Sequence, residues 1–214
     1  HPLIHTPAAG GVAWVWMAAA AERTRHVQIG TAVTCPTLMY NPAIVAQAFA
    51  TLRAIYPGRI FIGVGTGEAL NESPVGYRWP SFKERAERLE EAIKVIKLLW
   101  SKNFVDFKGK YYRLRKANLY TKPASPPPIY VAAAGPTVAE IAGRIGDGFL
   151  SVTWEKKLRE VLLPALEKGA KAVGRNPDDI IKAVEVGVSY DEDYEKALKK
   201  ARFWAGGYFP MMFK

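Results

Sequence analysis

The feature that most constrains this chain is the run from Arg59 to Glu72, R-I-F-I-G-V-G-T-G-E-A-L-N-E. Ile60, Phe61, Ile62 and Val64 form an almost unbroken series of apolar strand formers, the pattern of a parallel strand covered on both faces. Gly63, Gly65 and Gly67 interleave with them, and a strand interior avoids glycine unless something must approach the backbone closely. A ligand is one candidate for that approach. Glu68 and Asn71 follow, three residues apart and on one face if the chain turns helical there. In α/β proteins the carboxyl end of a strand is where chemistry collects. A plainer reading stays open beside this one, in which the glycines relieve packing and Glu68 caps the next helix.

The rest of the chain repeats the strand–helix theme. Gly11 to Ala21 is apolar and ends in small residues, but no lysine or arginine precedes it and it is too short to cross a bilayer. It reads as a buried helix reaching about Thr24, after a loop over residues 1–10. Val27 to Val33 reads as a strand, and Asn41-Pro42 opens a helix with proline at its first position. That helix carries Ile44, Val45, Ala48, Phe49 and Leu52 at helical spacing and runs to about Tyr56. Ser81-Phe82-Lys83-Glu84 is a capping box, followed by an apolar stripe of Phe82, Leu89, Ile93, Ile96 and Trp100.

Residues 103–121 interrupt the theme. Phe104 to Tyr120 alternates apolar and polar residues about Lys108-Gly109, the signal of an inserted antiparallel hairpin. Alternation then resumes, with Ile129 to Ala133 a strand, Thr137 to Ile145 a helix and Gly148 to Val152 a strand. Leu158 to Val173 is helical, with Pro164 either kinking it or beginning a second segment. Ile181 to Tyr190 is a strand and Asp193 to Trp204 a helix.

Five strands alternating with helices predict parallel βαβ units. A closed eight-stranded barrel takes roughly 250 residues, so 214 residues with an inserted hairpin are expected to hold part of one. A doubly wound open sheet would carry G-x-G-x-x-G after its first strand, a spacing that Gly63 to Glu68 does not complete.

Composition narrows the function classes. The chain is 49% hydrophobic, enough to bury a sizeable core, and its single cysteine, Cys35, excludes a disulfide framework and fits a reducing cytosol. The three histidines have no ligand spacing, so no metal site is expected. A formal charge of +10 suits either lysines solvated on helix faces or the steering of an anionic small molecule. Basic residues are not clustered with aromatics as a nucleic-acid module requires.

Together, G-V-G-T-G-E-A-L-N-E (63–72), Y-N-P-A-I-V-A-Q-A-F-A-T-L (40–52), the hairpin F-K-G-K-Y-Y-R-L, the turn Y-V-A-A-A-G-P and A-G-R-I-G-D-G-F resemble the bacterial luciferase-like superfamily. The branch is the one that uses the deazaflavin coenzyme F420. Its nearest patterns are those of F420-dependent glucose-6-phosphate dehydrogenases and F420-dependent secondary alcohol dehydrogenases.

The resemblance implies a (β/α)8 TIM barrel of the luciferase-like type, of which this chain is expected to carry about strands 3 to 7. The first two strands and the C-terminal part are expected to lie outside it, so the 214 residues alone are expected to aggregate or bind coenzyme weakly. The family's D-H-F-x-P-W motif would cross the start, with His1-Pro2 resembling its x-P, its histidine upstream, and Leu3 in place of its tryptophan.

The resemblance further implies that Glu68 is an acid/base group and Asn71 a coenzyme ligand, with Thr66 and Gly67 against the deazaflavin by backbone contact. Thr31-Ala32-Val33 matches the place where the family carries a non-proline cis peptide bulge beneath the ring, which brings in Ala32 and Val33. Cys35 stands where the sugar-phosphate branch has a coenzyme-contacting threonine. The coenzyme phosphate would meet backbone at Ala134, Gly135, Thr137 and Val138, a helix start with free N–H groups.

The implied activity is hydride transfer between a small alcohol and F420, in a cytoplasmic enzyme forming a homodimer. Val152 and Thr153-Trp154-Glu155 stand where the sugar-phosphate branch has a threonine and a lysine, which favours the alcohol. Two other readings stay open: a flavin mononucleotide (FMN)-dependent luciferase-like monooxygenase, and a non-catalytic F420-binding relative.

Overall fold

The computed structural model describes residues 11–212, so the family motif at His1 and Leu3 lies outside the described residues. Residues 11–184 belong to one compact unit and the chain from Glu185 to a second.

In the first unit, helix α1 (Ala13–Arg23) is followed by an extended segment, then by α2 (Pro42–Ile55). Asn41 caps α2 by accepting the Ala43 N–H, with Pro42 at the first position as the sequence signals. Strand β1 (Ile62–Val64) leads into the single turn α3 (Ala69–Glu72), and α4 spans Phe82–Ser101. The Ser81 hydroxyl accepts the Glu84 N–H, one half of the expected capping box. The Glu84 carboxylate pairs with Arg88 instead of returning to Ser81.

The inserted hairpin forms as expected, with β2 (Val105–Lys108) antiparallel to β3 (Arg113–Ala117). Strand β4 (Ile129–Ala132), helix α5 (Pro136–Ile145) and strand β5 (Gly148–Ser151) come next. A short helical start α6 (Glu155–Lys157) passes through a widened turn at Leu158–Leu162 into α7 (Leu163–Lys171). Pro164 sits in the first turn of α7, beginning a second segment where its missing N–H costs least. Strand β6 (Ile181–Val184) ends the unit.

The sheet order is β1-β4-β5-β6, all parallel. Residues 29–34 flank β1 on its other side through parallel bridges at Ile29–Ile60 and Thr34–Val64. Each neighbour therefore comes later in the chain than the last. A doubly wound sheet reverses its strand order, whereas a barrel adds strands in one direction, and this sheet shows no reversal.

The core lies between sheet and helices and contains Val45, Phe49, Leu89, Ile93, Ile96, Ile129, Val131, Phe149 and Leu166, all fully buried. Trp100 seals it by donating its indole N–H to the Ala46 carbonyl at 2.9 Å.

Four expectations need correction. Val27 to Val33 is not a continuous strand, because five steps from Ile29 to Thr34 face four from Ile60 to Val64, and the extra residue makes a bulge. Strand β6 stops at Val184 rather than Tyr190. Helix α1 buries Met17 and Ala21 only, leaving Val15 and Trp16 each 67% exposed. Phe82 is exposed, since it lies in the first turn of α4 before the helix reaches the core.

The second unit holds α8 (Tyr194–Met212), whose first turn is capped by the Asp193 carboxylate accepting the Glu195 N–H. Among the described residues no helix is long and apolar enough to cross a membrane, and no His, Cys, Asp and Glu group could hold a metal.

Candidate active site

Gly63 and Gly65 let the chain's own bulge come close. A Cβ on Gly63 would strike the Thr31 carbonyl oxygen, and one on Gly65 would lie 2.7 Å from Val33 Cγ2. The close approach inferred from these glycines is thus made by residues 31–33, not by a ligand. Gly67 has a different reason, a positive φ of 85° that lets the chain turn from strand into α3.

The bulge contains a cis peptide between Ala32 and Val33, at the position the resemblance implies. Hydroxyls hold it from beneath: Trp14 donates to Thr34 Oγ1 (3.2 Å), Thr34 to Thr31 Oγ1 (3.0 Å), and Thr31 to the Gly63 carbonyl (3.1 Å). Trp14 in turn packs against Tyr40 and edge-on to Phe49.

Between this bulge, the start of α1 and the end of α3 lies a cavity of about 270 Å³. Ala32, Val33, Cys35 and Asn71 line it, together with Trp14, Tyr40 and Glu72. Ligand pockets commonly run about 300–1,000 Å³, so this hollow matches a ring system better than a whole dinucleotide-sized molecule.

Glu68 and Asn71 meet as their spacing suggests, with Asn71 Nδ2 donating to Glu68 Oε2 at 3.1 Å. Glu68 occupies the cap position of α3 but its side chain caps nothing, so the plainer capping role does not hold. Asn71 is only 6% exposed, and its Oδ1 is buried with no hydrogen-bond partner. A buried carbonyl oxygen without a donor is costly and marks a place for a ligand N–H or a water. Glu68 itself is exposed and is bonded to the cavity wall through Asn71.

Glu72 is a site residue that the sequence reading passed over. It is 2% exposed, lines the cavity and accepts the Met39 N–H at Oε2 (3.1 Å). Burial pushes its carboxyl up, and the Met39 N–H draws it partly back. The available signal was its place one residue after Asn71 and four after Glu68, on the same helical face. Burial also pushes the Cys35 thiol up to about 12, assisted by the negative charges of Glu72 and Glu68 and opposed by the Gly67 N–H.

The other expected contacts lie outside the cavity. Thr66 and Gly67 continue from β1, and Ala134, Gly135, Thr137 and Val138 follow β4. Because Val64 pairs with Val131 in parallel, the two groups leave the same edge of the sheet from adjacent strands. Gly135 precedes Pro136 at the first position of α5, and no side chain caps this helix. Its N–H groups and positive dipole end are thus left to solvent or an anion. The Val138 side chain is buried in the core, which leaves only its backbone for such a role.

A parallel βα sheet of barrel order defines a protein of the TIM-barrel class, here with a carboxylate–carboxamide pair and a ring-sized hollow at its strand ends. The family follows from comparison: a luciferase-like monooxygenase family model matches residues 5–213, and the chain belongs to that family.

The F420-dependent glucose-6-phosphate dehydrogenase of Mycolicibacterium gilvum (strain PYR-GCK) is 52% identical over 194 residues, 89% of this chain and 58% of its own length. The protein of that name from Mycobacterium avium (strain 104) is 53% identical over the same shares. An F420-dependent secondary alcohol dehydrogenase, solved in complex with an F420–acetone adduct, superposes with a TM-score of 0.93 at 46% identity, covering 100% of this chain and 66% of that one. The coenzyme F420-dependent tetrahydromethanopterin reductase from Methanopyrus kandleri gives 0.81 at 29% identity, over 89% and 58%. The chain thus spans about 58% of the length of these curated relatives.

Proposed function

We propose that the protein is an F420-dependent oxidoreductase that moves a hydride between a hydroxyl substrate and the deazaflavin. The observation that carries this reading is Asn71, buried in the wall of a ring-sized cavity with Oδ1 unpaired and its amide committed to Glu68. The relatives and solved neighbours that are named for F420 support the choice of coenzyme.

In this reading Asn71 Oδ1 accepts an N–H of the ring system, while Ala32 and Val33 support its face. Thr66 and Gly67 border it through their backbone. The amides of Thr137 and Val138, with Ala134 and Gly135, hold the phosphate. When bound, the deazaflavin supplies a two-electron acceptor for the hydride leaving the carbinol carbon. Glu68 has Oε2 occupied by the Asn71 amide and Oε1 left to carry the exchanged proton. Cys35 stays a neutral thiol and serves as a wall, not a nucleophile.

The substrate we favour is a small secondary alcohol. Val152 and Trp154, which follow β5, are 60% and 65% exposed and offer apolar surface at the strand ends. Glucose 6-phosphate is the second reading, supported by the names of relatives just over half identical. The test is loss of F420 absorbance with the full-length protein against isopropanol, its homologues and glucose 6-phosphate. Turnover with isopropanol alone supports the first substrate, turnover with glucose 6-phosphate the second, and turnover with neither, under conditions where F420 binds, contradicts a dehydrogenase.

A further inference from the structure

Residues 36–40 form the loop between the bulge and α2, and its end residues Met39 and Tyr40 stand in the cavity wall beside Cys35. Two elements from elsewhere in the chain hold this loop. From α3, Glu72 Oε2 accepts the Met39 N–H at 3.1 Å. From the inserted hairpin, the Tyr112 hydroxyl donates to the Thr37 carbonyl at 2.8 Å and reaches the Pro36 carbonyl at 3.1 Å. Thr37 is buried, so its carbonyl bond is made away from competing water.

The hairpin is itself fixed at its turn by one carboxylate. Glu91 of α4 accepts three consecutive backbone N–H groups, those of Lys110 (2.9 Å), Tyr111 (2.9 Å) and Tyr112 (2.7 Å). Charge-assisted bonds of this kind are roughly twice as strong as neutral ones. Beside it, Glu87 accepts the Tyr111 hydroxyl and the Lys110 ammonium (2.7 Å). A two-stranded hairpin is marginal alone, and here the anchored end is the one that carries Tyr112.

We infer that the inserted hairpin is a clasp for the coenzyme pocket, and that Tyr112 is a positioning residue holding loop 36–40 against the cavity through its hydroxyl. The inference deepens the coenzyme reading above and rests on it for the identity of the ligand. Arg88, Glu91 and Glu72 are the charged groups facing the phenol, and burial keeps it protonated, pushed up to about 12, so it remains a donor at working pH. A role in packing alone would use the ring and not the hydroxyl.

Tyr112→Phe removes the hydroxyl and keeps the ring. In the protein without coenzyme, amide hydrogen exchange in residues 37–40 is expected to rise about tenfold while Tm moves by no more than about 4 °C, the scale of one lost hydrogen bond. Fluorescence titration with F420 is expected to give a Kd about fivefold weaker, with kcat at saturating coenzyme within about twofold. Glu91→Gln, which weakens the anchor two steps away, should shift loop exchange in the same direction.

Unchanged exchange in the Tyr112→Phe loop overturns the clasp, whatever F420 does. Raised exchange with unchanged Kd also overturns it, because the loop would then not bear on the pocket. Failure of the unsubstituted protein to bind F420 instead contradicts the coenzyme reading, and the exchange measurement then decides only whether the Tyr112 hydroxyl holds loop 36–40.

Discussion

The Asn71 amide and the Glu68 carboxylate are joined at 3.1 Å across one turn of helix directly after the glycine-rich strand. The bond fixes Oε2 of Glu68 and ties an exposed carboxylate to a residue in the cavity wall. Glu68→Gln keeps the size of the side chain and removes the proton acceptor. Steady-state assays should show kcat lowered about 10²- to 10⁴-fold, with the Kd for F420 within about twofold. A kcat within threefold of the unsubstituted protein would remove Glu68 from the chemistry.

Glu72 predicts a pH-dependent stability. Burial raises its carboxyl in the folded protein, so the folded state binds its proton more tightly than the unfolded state does. Its contribution is therefore full below the ordinary glutamate range and is lost as pH rises through the raised value. Glu72→Gln stays neutral throughout. Its Tm relative to the unsubstituted protein should climb between pH 4 and pH 8, and a difference flat in pH would count against the buried carboxylate.

Cys35 is the single cysteine, so thiol labelling reports on one site. With the thiol held at about 12, its thiolate fraction at pH 8 is roughly a thousandfold below that of a free cysteine. Iodoacetamide labelling followed by mass spectrometry should be slower by about that factor. Labelling at the rate of an ordinary thiol would contradict a thiol raised to about 12.

Arg59 predicts a loss of stability far from the chemistry. Its guanidinium donates to the carbonyls of Ala21 (3.0 Å), Thr24 (2.9 Å) and Val27 (3.1 Å) and to Thr24 Oγ1 (2.6 Å), tying the end of α1 to the strand. Arg59→Ala should cost about 2 kcal/mol and lower Tm by roughly 4–8 °C. Arg59→Lys should recover less than half of that, because an ammonium cannot form the fork. Calorimetry that finds both variants unchanged would show that the cluster contributes nothing.

Much of the fold was legible because local chemistry and the final structure agree. Asn41-Pro42 and Ser81 do cap their helices, and the apolar runs at Ile60 and Ile129 become adjacent buried strands. The parts that were not legible depend on partners distant in sequence. The bulge at Thr31 to Thr34 is set by register against Ile60 and Val64; the local pattern reads as a plain strand, and only the family resemblance placed the bulge there. Trp16 sits in an apolar run but on the outer face of α1. Glu68 and Asn71 could be paired by spacing alone, whereas the burial of Glu72 depends on Met39, 33 residues away.

Coenzyme choice is tested most directly by titrating the full-length protein with F420 and, separately, with FMN, following coenzyme fluorescence. The expected result is saturable binding of F420, at least about tenfold tighter than FMN, and weakened in Asn71→Ala by loss of a buried hydrogen bond. Tighter binding of FMN, or F420 binding indifferent to Asn71, would contradict a deazaflavin seated on the Asn71 side of this cavity.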